Sequence, residues 1–131
     1  EQLPTVEAVC QHADLVSLHC PGGEETRHIL GEKALAAMPS HGIVINTARG
    51  DVVDEEALAD ALHGGHIGGA GLDVFQGEPV INPRLMNAPN VVLLPHLGSA
   101  TTETRNDMGM TVCENLKAFF AGKDVPNPVH S

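Results

Sequence analysis

The chain has 131 residues, with 17 acidic against 7 basic side chains and a net charge of -10. That length supports one domain with a core of its own but not two, and the acidic balance argues against nucleic acid or an anionic membrane, which call for a positive footprint. Apolar residues make up 42% and Trp and Tyr are lacking, so a soluble, ordered globule with an aliphatic core is expected.

No apolar run approaches the roughly 20 residues of a membrane helix, and no signal peptide opens the chain. The cysteines Cys10, Cys20 and Cys113 are odd in number, widely separated and without a Cys-x-x-Cys pair. This predicts reduced thiols in a cytoplasmic protein, with neither a disulfide framework nor a zinc knuckle.

In chain order, residues 5–13 predict a short helix with Thr5 as its cap. Residues 14–20 predict a strand, broken by Pro21-Gly22-Gly23. A short helix over Glu32 to Met38 ends at Pro39. The run Ile43-Val44-Ile45 then reads as a buried parallel strand that stops at Asn46-Thr47-Ala48-Arg49-Gly50. Asp54 predicts a cap for the next helix, with Glu55 and Glu56 in its first turn, Ala57, Leu58, Ala61 and Leu62 inward, and Gly64-Gly65 as its stop. A glycine-loaded strand over Ile67 to Asp73 implies close approach by another backbone or by a ligand. A long irregular loop begins at Val74, Asn90 to Leu94 predicts a fourth strand, and a long helix runs from Thr101 to Ala121 with Gly122 as its stop. The tail carries Pro126 and Pro128 and predicts an extended arm.

Strands alternating with helices imply a parallel α/β sheet, and open sheets of this class bind ligands at the strands' C-terminal ends. Four sets of residues would share that edge: His19-Cys20-Pro21, Thr47-Ala48-Arg49, Asp73 with Glu78 beyond it, and His96-Leu97-Gly98-Ser99. Arg49 offers a planar fork suited to a carboxylate or phosphate, or is a surface loop arginine. His96 suits proton transfer, and Glu78 on the preceding loop could fix its tautomer; read singly, they are a loop histidine and a solvated carboxylate. Asp73 either accepts a hydrogen bond from a cofactor or caps a turn, and the glycines before it favour the ligand. Cys20 reads as a small thiol rather than a nucleophile. Thr101 reads as a helix cap. No metal is expected at His63 and His66, because glycines end the helix between them.

Three stretches resemble the D-isomer-specific 2-hydroxyacid dehydrogenases: Asn46-Thr47-Ala48-Arg49-Gly50-Asp51-Val52-Val53-Asp54, Gly71-Leu72-Asp73-Val74-Phe75-Gln76-Gly77-Glu78-Pro79, and Asn90-Val91-Val92-Leu93-Leu94-Pro95-His96-Leu97-Gly98-Ser99. Val16-Ser17-Leu18-His19-Cys20-Pro21 is similar as well, and the glyoxylate and hydroxypyruvate reductase branch looks nearest. The resemblance implies Arg49 as the substrate-carboxylate anchor, His96 as the acid, and Glu78 as its supporting carboxylate. It places Asp73 at the nicotinamide carboxamide and Cys20, Pro21, Thr47, Ala48, Gly98 and Ser99 along NAD or NADP, with Arg49 and His96 also facing the dinucleotide. The implied reaction is reversible reduction of a 2-oxo acid to the D-2-hydroxy acid, in a homodimer formed through the cofactor domain.

No window spells the Gly-x-Gly-x-x-Gly phosphate turn of that family. The resemblance therefore implies the second half of a Rossmann-like, doubly wound parallel sheet. Residues 1–122 would be the C-terminal portion of the NAD(P)-binding domain, and residues 123–131 an arm for a substrate domain. The segment alone is expected to be inactive and marginally stable or associated. The alternative is a catalytically silent remnant that serves folding or association.

Overall fold

A computed structural model describes residues 2–129. The fold divides into two compact units, with the division after Leu97. The first contains α1 (Val6–His12), β1 (Leu15–Leu18), α2 (Glu32–Ala37), β2 (Ile43–Asn46), a 3-10 turn (Gly50–Val52), α3 (Glu55–His63), β3 (Gly69–Leu72), α4 (Pro83–Met86) and β4 (Val91–Leu93). The second contains α5 (Thr102–Phe120).

The strands form one parallel sheet in the order β1-β2-β3-β4. Leu18 pairs with Asn46, Asn46 with Leu72 and Leu72 with Leu93, so the four strands finish in one row. The residues that leave this row emerge on one edge, which is the geometry a βαβ chain imposes on consecutive parallel strands.

Helix starts follow local chemistry. Asp54 caps α3 by accepting from the backbone N–H of Glu56 at 3.1 Å and Ala57 at 3.2 Å, and Thr5 caps α1 through Ala8 at 3.1 Å. Thr101 caps α5 through the Thr104 N–H at 3.2 Å. Helix α4 interrupts the loop expected to be irregular; Asn82 caps it through Arg84 N–H at 2.9 Å and Pro83 opens it. Asn-Pro is a start signal the sequence carried, since Pro at the first helical position forfeits an N–H that has no partner anyway.

One face of the sheet is core. Val16, Leu18, Val44, Ala70 and Leu72 are buried with Leu35, Leu58 and Leu62. The other face is not: Leu15 is 55% exposed, Ile43 40% and Val92 62%. The expectation that Ile43 to Ile45 is buried throughout is thus corrected, because side chains alternate between faces and only one face is covered.

The glycines at the start of β3, Gly68 just before it and Gly69 within it, make room for backbone, while Gly71 meets the Ile45 side chain. A Cβ on Gly68 would lie 2.6 Å from the His41 carbonyl oxygen, and one on Gly69 2.7 Å from that of Asn90. Gly68 and Gly69 therefore serve strand packing.

Helix α5 buries none of its side chains. Met108, Val112, Leu116, Phe119 and Phe120, which recur at helical spacing, are all exposed, as is Met110. Gly122 ends the helix region with φ of +67°, a conformation open to glycine at no steric cost. Of the expected arm, His130 and Ser131 lie outside the described residues. Among the described residues no helix is long and apolar enough to cross a membrane.

Candidate active site

The row of strand ends opens into a cleft of about 1040 Å³ whose walls include Cys20, Pro21, Thr47, Ala48, Arg49, Glu78 and His96. His19, Gly22, Asp51, Phe75 and Gln76 complete much of the lining. Seven of the expected site residues are therefore gathered in one place. Asp73 is not among the lining residues, and Gly98 and Ser99 belong to the second unit.

The loop after β2 is shaped by the residue that ends the strand. Asn46 is 1% exposed; its Oδ1 accepts from the Ala48 N–H at 3.0 Å and its Nδ2 donates to the Arg49 carbonyl at 2.9 Å. One carboxamide thus satisfies a donor and an acceptor of a tight turn that no strand can pair. The exposed Arg49 side chain donates from Nη1 to the Ala48 carbonyl at 2.6 Å. Among the described residues no carboxylate lies within salt-bridge distance of Arg49. Most of its fork remains available to an anion in the cleft.

The wall opposite in the sequence comes from the loops after β3 and β4. His96 Nδ1 lies 2.8 Å from Glu78 Oε2. A carboxylate only accepts, so this contact places a proton on Nδ1 and leaves Nε2 as the atom that can give or take one. The other oxygen of Glu78, Oε1, accepts from the Phe75 N–H at 2.9 Å. Each carboxylate oxygen has its own donor. The His96 hydrogen bond, and after it the Phe75 N–H, hold the Glu78 carboxyl below the usual carboxylate range.

The backbone that carries His96 is held from β3. Asp73 is 5% exposed and its Oδ1 accepts from the Leu97 N–H at 2.7 Å. Its own N–H donates to the Asn46 carbonyl at 2.9 Å. Asp73 therefore ties the ends of β2 and β3 to the residue following the histidine. His96 has φ of 56°, a left-handed conformation that a non-glycine residue keeps only where its surroundings enforce it.

A further loop, after β1, is drawn to the loop after β2. Asp51 Oδ2 accepts from the Gly23 N–H at 2.9 Å, the Asp51 carbonyl accepts from the His28 N–H at 2.8 Å, and Thr26 donates to the Pro21 carbonyl at 2.6 Å. Asp51 and Asn46 were missed in the sequence as shaping residues. A polar residue closing an apolar strand was the available signal for Asn46; Asp51 had none, because its partner is 28 residues away.

The cleft thus presents a cation with free donors, an imidazole with a fixed tautomer, and a lining that mixes small residues such as Cys20, Pro21, Thr47 and Ala48 with the polar His19, Asp51 and Gln76. Such a set can bind an acid and move one proton.

Residues 1–98 match the family described as D-isomer specific 2-hydroxyacid dehydrogenase, NAD binding domain. The chain is 47% identical over 126 residues to a glyoxylate/hydroxypyruvate reductase A of Arabidopsis thaliana, covering 96% of this chain and 40% of that protein. It is 50% identical over 124 residues to a glyoxylate reductase of Thermococcus litoralis, covering 95% of this chain and 38% of that protein. The crystal structure of an NADPH-dependent glyoxylate/hydroxypyruvate reductase from Sinorhizobium meliloti, in complex with NADP and malonate, superimposes with a TM-score of 0.93 at 42% identity, covering 97% of this chain and 40% of that chain. The chain spans about 40% of the length of such relatives. With this parallel sheet and this match over residues 1–98, the chain belongs to the D-isomer specific 2-hydroxyacid dehydrogenase family, through its NAD binding domain.

Proposed function

We propose that this chain carries the anchor and the proton donor of a reductase that converts a small 2-oxo acid, such as glyoxylate or hydroxypyruvate, to its D-2-hydroxy acid. The observation that carries this reading is the His96–Glu78 pair sharing one cleft with Arg49. Arg49 binds the substrate carboxylate, bringing the adjacent carbonyl toward His96. His96 gives the carbonyl oxygen a proton from Nε2, and Glu78 stabilises the imidazolium before that transfer and keeps the ring oriented after it. In the reverse direction the same nitrogen takes the proton back.

The residues present fit part of a dinucleotide. Cys20, Pro21, Thr47 and Ala48 give the cleft small walls at the strand ends, where sheets of this kind receive cofactors. Asp73, Gly98 and Ser99 are further proposed contacts. The Gly-x-Gly-x-x-Gly turn that would cradle the pyrophosphate has no counterpart in this chain. When bound, NADH or NADPH supplies the hydride that reaches the carbonyl carbon.

Residues 1–122 are accordingly proposed as the C-terminal portion of the NAD(P)-binding domain and residues 123–131 as an arm for a substrate domain. The 131 residues alone are proposed to be inactive, and the active protein to be a cytoplasmic homodimer. The test is NAD(P)H oxidation with glyoxylate or hydroxypyruvate by the 131-residue chain and by a longer form carrying it. Turnover in the longer form alone is the expected result, and failure of both leaves a silent association module.

A further inference from the structure

Glu55 is a carboxylate buried in the first turn of α3, only 7% exposed. Charge in the first turn of a helix is ordinarily a surface feature that meets the helix dipole from solvent. Here the side chain turns inward, and its Oε1 accepts from the backbone N–H of Gln76 at 2.7 Å. Burial pushes its carboxyl up, and the Gln76 N–H pulls it partly back. A buried carboxyl is costly unless paired or hydrogen-bonded, so its retention against this one backbone group calls for a reason.

The reason lies in what Gln76 adjoins. Phe75, one residue earlier, supplies the N–H that holds Glu78 Oε1, and Glu78 holds His96. On its other side the same pair of residues meets Gly50: a Cβ there would overlap the Phe75 carbonyl group and the Gln76 nitrogen. The Gln76 side chain donates to the Val53 carbonyl at 2.6 Å and meets His28 Nε2 at 2.6 Å. The turn from Phe75 to Glu78 is therefore fixed against the segment from Gly50 to Glu55, which Arg49 immediately precedes.

We propose that Glu55 is a positioning residue, holding the Gln76 N–H so that the Phe75–Glu78 turn presents the Glu78 carboxylate to His96. This rests on the reductase reading only for its consequence in turnover; the placement of Glu78 is a property of the chain itself. Glu55 faces Glu56 and His28 besides the Gln76 N–H. Glu78 faces His96, the Phe75 N–H and Asp73.

The test compares Glu55→Met, which fills the same space without an acceptor, with Glu55→Gln, which keeps one. The Glu78 titration is followed through its carboxyl carbon by NMR in the chain and in the longer form. Glu55→Met is expected to move the Glu78 midpoint upward, as the Phe75 donor is lost, and Glu55→Gln to restore it. In the longer form Glu55→Met should lower kcat about tenfold or more with KM nearly unchanged, as misplacing a catalytic group does. A folded Glu55→Met with an unaltered Glu78 midpoint overturns the proposal. Should that variant fail to fold, the unmodified protein decides: rapid hydrogen exchange at the Gln76 amide would overturn it, and protection would support it. Neither NMR result depends on turnover, so a failed reductase assay leaves this test intact.

Discussion

The two walls of the cleft are built on opposite plans. On the His96 wall every functional atom toward the protein is engaged: Glu78 has a donor on each oxygen, and the residue after the histidine is tied to Asp73. On the Arg49 wall the backbone is engaged, by Asn46, while the guanidinium spends a single contact on the neighbouring carbonyl. The difference matches the tasks proposed for His96 and Arg49. A proton donor works only in one tautomer and orientation, so the fold satisfies its partner in advance. An anchor must keep its donors for the ligand, so the fold fixes the chain beneath and leaves the fork open.

Removing one wall at a time should separate these tasks. His96→Ala is expected to have the largest effect, lowering kcat by about 10²- to 10⁴-fold while substrate binding is largely kept, as read by steady-state kinetics of a longer form. Arg49→Ala should act chiefly on KM, raising it about ten- to a hundredfold, the loss of a charged hydrogen bond worth ~1.5–3 kcal/mol. If both variants changed kcat and KM alike, the division between the walls would be wrong.

Glu78→Gln sharpens the same comparison through pH. The folded Glu78 carboxyl is held below its ordinary range, so its contact with His96 is fully present above the unfolded pKa of about 4.3 and is lost as pH falls through the lower folded value. Wild-type turnover should therefore keep this contribution through mildly acid pH, and Glu78→Gln should lower kcat about tenfold and abolish that acid limb. An identical pH profile in the variant would remove Glu78 from the assignment. The smallest expected effect is on the other wall's support: Asn46→Ala should cost ~1–3 kcal/mol in urea unfolding, the price of leaving a buried donor and acceptor unmet. A modest rise in KM should accompany it as the Arg49 loop loosens.

Much of this arrangement was legible before any coordinates. The apolar run into Asn46, the Asp54 cap and the glycine stops sufficed for the strand and helix that carry Arg49, because these signals are local. Placing Arg49, Glu78 and His96 on one edge needed only the inference that the strands run parallel. The glycines at 68 and 69 imply a close approach, and the neighbour is the backbone of His41 and Asn90, which periodicity cannot identify. The apolar stripe of α5 has helical spacing, yet none of it is buried in the fold; spacing states which residues share a face and says nothing of what covers it.

By itself the amino-acid order determined the element types, the alternation that makes the sheet parallel, and the residue types at its C-terminal edge, since all of these arise from neighbours within a few positions. Tertiary structure alone decided that one sheet face is open, that Asp73 holds Leu97, and that the acid of α3 reaches Gln76. Those contacts join residues more than 20 positions apart, and their partners are chosen by how layers pack and how buried polar groups are satisfied, which no local pattern records.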